Sequence, residues 1–80
     1  MEKRIGAALI IVQEGANVES LNKIVSLHSD MILGRQGIPL REKGLNVISL
    51  VLEGTTDDLG SLSGKIGRIP GISIKSLLAT

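Results

Sequence analysis

Leu45-Asn46-Val47-Ile48-Ser49-Leu50-Val51-Leu52-Glu53 is apolar almost throughout, ends on an acid and is followed by Gly54. Its length and its content of Val, Ile and Leu predict a buried strand. The end of this run has an echo near the start of the chain. Val51-Leu52-Glu53-Gly54 matches Val12-Gln13-Glu14-Gly15, and each is followed by apolar residues at helical spacing. Val18, Leu21 and Val25 after the first match Leu59, Leu62 and Ile66 after the second. The chain therefore reads as two copies of a strand–helix unit.

Outward from that run, Ile5 to Gln13 is a second apolar stretch of strand type, and Asn17 is placed to cap the helix that follows it. Met31 to Ile38 predicts a strand ended by Pro39, and Arg41-Glu42-Lys43-Gly44 a polar turn. Gly54-Thr55-Thr56-Asp57-Asp58 holds several N-cap candidates and puts acid at a helix start, where the dipole favours it. Pro70-Gly71 breaks the second helix, and Ile72 to Leu78 alternates as a last strand. The order β-α-β-β-α-β is that of an α+β, ferredoxin-like domain spanning residues 1–80, with a four-stranded antiparallel sheet and both helices on one face. Right-handed crossovers put strands one and three in the centre, where they are expected to run parallel to each other.

Helices on one side leave the other sheet face open, so the central strands of a monomer should alternate between apolar and polar. Here they do not. Leu9 and Ile11 are expected to join Ile48, Leu50 and Leu52 under the helices. Ala8, Ile10 and Val12 are then expected to join Val47 and Val51 on the open face, as an interface between copies of the chain. A domain of this size buries only roughly 60% of its unfolded surface, and small chains gain stability from disulfides, metals or assembly. With no cysteine and one histidine, assembly is the expected route, and no metal site is expected within one chain.

Composition excludes several functions that this topology carries. Nine basic and eight acidic residues give a net charge of +1, which provides no field for nucleic acid or an acidic membrane. There is no aromatic residue on which a base could stack. Ala7 to Val12 is too short to span a bilayer, and a cytoplasmic protein is expected. Gly60-Ser61-Leu62-Ser63-Gly64-Lys65-Ile66 lacks the spacing of a phosphate-binding loop and has Ile66 where a hydroxyl should hold magnesium. Gly60, Gly64 and Gly67, on one side of the second helix, predict close backbone packing against a neighbouring element. No nucleophile–base pair surrounds His28, so neither catalysis nor a cofactor is expected.

Two places retain binding potential. Gly15, Ala16 and Asn17, at the turn into the first helix, leave backbone room for an anionic ligand. Arg35, Arg41 and Lys43, in the segment from Gly34 to Gly44, are candidates for contact with an anion or a protein partner.

The same segment carries a family likeness. Gly34-Arg35-x-Gly37-Ile38-Pro39, then Arg41-Glu42-Lys43-Gly44 and Asn46-Val47-Ile48-Ser49-Leu50, resembles the iron-only hydrogenase system regulators. Gly54-Thr55-Thr56-Asp57, Gly64-Lys65 and Pro70-Gly71 extend the likeness over nearly the whole chain. The resemblance implies an ACT-like fold related to the C-terminal domain of the nickel-responsive repressor. It further implies a non-catalytic regulatory role, self-association through sheets, and a link to hydrogenase maturation or its regulation. It does not extend to nickel, because the repressor's histidines and cysteine have no counterparts here, nor to direct DNA binding. The expected function is a homo-oligomeric regulatory module with a small ligand at a subunit interface. The alternative is a ligand-free adaptor that docks onto a partner protein.

Overall fold

A computed structural model describes residues 2–80. The elements are β1 (Arg4–Gln13), α1 (Val18–Leu27), β2 (Ile32–Leu40), β3 (Leu45–Gly54), α2 (Thr56–Gly67) and β4 (Ile72–Leu78). Short 3-10 turns at Ser29–Met31 and Arg41–Lys43 lead into β2 and out of it. The strands form one sheet in the order β2-β3-β1-β4. This is the expected βαββαβ arrangement, with β1 and β3 in the centre.

One topological expectation is corrected. The central strands β1 and β3 run antiparallel, as do both outer pairs. Each crossover joins strands that are one place apart in the sheet, β1 to β2 over β3 and β3 to β4 over β1. Those are the parallel pairs, and the strand inserted between them must run the other way.

The local reasons for each element are visible. Asn17 caps α1 by accepting the Ser20 N–H at 3.0 Å. Thr55 and Asp58 close a reciprocal capping box on α2. The Thr55 hydroxyl accepts the Asp58 N–H at 3.1 Å, and the Asp58 carboxylate accepts the Thr55 N–H at 2.9 Å. Those bonds, the one from the backbone first, hold the Asp58 carboxyl below its ordinary range. Pro39 does not end β2, which continues to Leu40 with Pro39 still paired to Asn46.

The core lies between the helices and one face of the sheet. Leu21 and Val25 of α1 and Leu59, Leu62 and Ile66 of α2 pack on Ala8, Ile10, Val12, Ile48, Leu50 and Leu52. This reverses the facing expected for β1. Ala8, Ile10 and Val12 are 2%, 0% and 2% exposed, whereas Leu9 is 47% exposed. The register explains it. Ala8 stands opposite Leu50 and Ile10 opposite Ile48, so each pair shares one face. Leu9 stands opposite Ser49 and Ile11 opposite Val47 on the other. Val47 and Val51 do lie on the open face, as expected.

The glycines of α2 also depart from expectation. A methyl group added at Gly60 or Gly64 would meet no atom within 4 Å, so these residues permit no close approach within the protomer.

Candidate functional site

Three turns meet at one end of the sheet. The first is Glu14–Asn17, between β1 and α1. There Gly15 has a φ of 85°, which favours glycine. The Ala16 N–H donates to the Gln13 carbonyl at 3.1 Å and closes the turn. The second is the connection from β2 to β3, tied to the first by the Glu14 N–H donating to the Gly44 carbonyl at 3.0 Å. The third is Pro70-Gly71, tied by the Gln13 N–H donating to the Gly71 carbonyl at 2.8 Å. A Cβ at Gly71 would stand 3.2 Å from the Ala16 Cβ, so this approach depends on glycine.

Between the first two turns lies a shallow cleft of ≈ 220 Å³ lined by Glu14, Arg41, Gly44, Leu45 and Asn46. Arg41 also borders an adjoining hollow of ≈ 370 Å³ with Pro39, Leu40, Glu42 and Lys43. The fold thus gathers Gly15, Ala16, Asn17, Arg41 and Lys43 at one end. Arg35 is elsewhere. It lies in the middle of β2 on the helix side, where its guanidinium donates to the Asn22 side-chain carbonyl at 3.1 Å. Asn17 spends its carboxamide oxygen on its own helix. Asn17→Ala should lower stability by about 1 kcal/mol in a urea melt, and an unchanged midpoint would remove its role as a cap.

A recess of ≈ 250 Å³ is lined by Lys3, Leu27, His28, Asp30, Met31, Glu53 and Asp58. His28 caps the C-terminus of α1, and its Nε2 lies 3.3 Å from the Lys65 Nζ of α2. No sequence spacing relates these two residues, and only the packing of the helices brings them together. Among the described residues no group of three or more His, Asp or Glu is arranged to hold a metal ion. No helix of the described residues is long and apolar enough to cross a membrane.

The open face of the sheet has no partner among the described residues. Leu9, Ile38 and Val51 are 47%, 44% and 47% exposed there, and Leu77 is 61% exposed. They share the face with Ala7, Ile11 and Val47. A shallow depression over Ala7, Leu9, Ser49, Lys75 and Leu77 lies within it. The sequence reading missed Leu9, Ile11, Ile38 and Leu77 as members of this surface. One signal was present: Gln13 shares the odd-numbered face of β1 with Leu9 and Ile11, and its polar side chain marks that face as the outer one.

A family model described as "TM1266-like: Iron-only hydrogenase system regulator, putative" matches residues 4–76. The chain belongs to the TM1266-like family. A solved structure of this kind, the uncharacterized protein TM1266 from Thermotoga maritima, is 35% identical, with 99% of this chain and 100% of that one aligned at a TM-score of 0.93. Two more distant structures share the fold alone. A formyltetrahydrofolate deformylase from Pseudomonas putida KT2440 aligns over 94% of this chain and 28% of its own, at 12% identity and a TM-score of 0.55. LarC2, the C-terminal domain of a cyclometallase involved in the synthesis of the NPN cofactor of lactate racemase, aligns over 98% and 58%, at 13% identity and a TM-score of 0.51. No curated protein matches the chain. As a TM1266-like protein it shares with its family the description of an iron-only hydrogenase system regulator.

Proposed function

We propose that this TM1266-like protein is a non-catalytic regulatory module of the iron-only hydrogenase system that works as a homo-oligomer, assembled through the open face of its sheet. The carrying observation is that face: a run of exposed Leu, Ile and Val across all four strands, with nothing among the described residues to cover it. Such flat, aliphatic surfaces suit sheet-on-sheet packing at about 10 Å, and a second copy presents the same surface. The regulatory part of the reading is supported by the family description and by the ACT-like likeness of the sequence.

A small anionic ligand is proposed at the end where Gly15, Ala16 and Asn17 meet Arg41 and Lys43. Arg41 supplies charge there, on the cleft beside the turn. The test combines mass by light scattering with a melting-shift screen of amino acids and nucleotides. A multimer whose melting point rises with one class of ligand is expected, since a ligand that binds only the folded state stabilises it by mass action. A multimer with no shift from any class overturns the ligand and leaves the adaptor that docks onto a partner protein. A monomer at micromolar concentration overturns the assembly.

A further inference from the structure

Lys75 is a cation in the middle of a mostly aliphatic sheet face. It stands on β4 opposite Leu9, which in turn stands opposite Ser49 on β3. The next row of side chains on that face is Val51, Ala7 and Leu77. Ala7 is the small member of that row, and the sheet is hollowed over it. The hollow has a volume of ≈ 350 Å³, with Leu9, Ser49, Lys75 and Leu77 around Ala7.

No acid answers this lysine from its own face. Its neighbours there are Leu9 across the strand pair and Ser73 and Leu77 along β4. Glu53, which the register puts on the same face, stands opposite Ile5 at the far end of β1 and borders the recess beside His28. A second copy laid on the face presents the same residues, and so brings another lysine and no carboxylate to the middle of it. An ammonium group taken out of water without a counter-ion is strongly unfavourable. The missing charge has to come from a third component.

We infer that the hollow binds an aliphatic monocarboxylate, with its chain over Ala7 between Leu9 and Leu77 and its carboxylate on Lys75, and that a second copy closes over it. This rests on the assembly through the open face, and it adds a site apart from the turns that gather Arg41. The layout of the hollow selects the class. Its floor and walls are apolar and its rim is cationic, so the ligand needs an aliphatic body and one anionic head. A bare phosphate ion would lose its water against Leu9 and Leu77 and gain no hydrogen bond from them. An amino acid would bring its ammonium group against Lys75. The volume is near the lower end of ligand pockets, about 300–1,000 Å³, which suits a chain of medium length.

Octanoate is the probe, and octylamine and inorganic phosphate are the controls. A ligand held between copies couples binding to assembly. Saturating octanoate should therefore lower the dissociation constant of the assembly roughly tenfold in sedimentation velocity. Octylamine, with the same body and the opposite charge, and phosphate, with no body, should leave it unchanged. Lys75→Gln removes the unanswered charge. Without ligand it should assemble as tightly as the wild type does with octanoate, and octanoate should add nothing. Lys75→Arg keeps the charge and should keep the response. Lys75 is exposed in the protomer, so both variants should fold. Val47→Lys, on the same face but outside the hollow, should weaken the assembly and lose the rise in melting point with octanoate. A wild-type multimer that octanoate leaves unchanged, or an equal response from Lys75→Gln, overturns the site and leaves the assembly standing. An equal response to octylamine overturns the carboxylate. A monomeric wild type overturns the assembly and the site with it.

Discussion

Ile10→Ala is expected to lower the stability of the protomer by about 2–5 kcal/mol, and Ile10→Glu to leave no folded chain. Ile10 is fully buried, flanked by Ile48 on one side and Ile74 on the other, beneath the inner faces of both helices. Truncation leaves a cavity between layers that cannot close. A carboxylate at that point has no partner, because the core contains no buried polar or charged residue among the described residues. Whole domains carry only about 5–15 kcal/mol of stability, so either change takes a large share. Urea melts followed by far-UV circular dichroism measure it. A loss under about 1 kcal/mol for Ile10→Ala would contradict the placement of β1.

Leu9→Lys, one residue away, should have the opposite character. The protomer should keep its helix and strand content, while its mass in solution falls below that of the wild-type assembly. Leu9 lies on the open face opposite Ser49 and Lys75, and a lysine there is solvated in the protomer. In a face-to-face assembly the same lysine replaces a buried leucine worth about 1.5–3 kcal/mol, so the dissociation constant should rise roughly ten- to a hundredfold. Val47→Lys should act alike. Sedimentation velocity over a concentration series separates the outcomes. If Leu9→Lys keeps the wild-type mass, the open face is not where copies meet. If Leu9→Lys unfolds as Ile10→Glu does, the two faces of β1 have been exchanged.

The contrast between these neighbours also shows what was legible before the structure. The six elements, their order, and the placement of both helices on one side were readable from apolar runs and from the echo between the two halves. β3 and β4 oriented themselves. Ser49 and Glu53 mark one face of the first, and Ser73 and Lys75 alternate in the second. β1 did not, because Leu9 and Ile11 are as apolar as Ile10, and a strand apolar on both faces carries no internal mark of which way it points. Its orientation depends on a register with β3 that only the antiparallel pairing supplies. At the candidate ligand end, Gly15 and Asn17 were legible through turn and capping chemistry, which is local. The separation of Arg35 from Arg41 and Lys43 was not, because it depends on the length of β2 and on a bond from Arg35 to a helix remote in sequence.

The position of β1 has a further consequence, for the order of events as the chain is made. β1 pairs with β3 and β4 and with nothing nearer. Ile10 waits first for Ile48 and then for Ile74. The one strand pair that a short local turn can close is β2 with β3. A chain leaving the ribosome therefore exposes its first strand, apolar on both sides, until more than half of the sequence has followed. Closing the sheet around that strand is a long-range step, the kind that slows folding and leaves apolar surface open to other chains. The strand that holds the centre of the finished protein is the first to be synthesised and among the last to be sheltered.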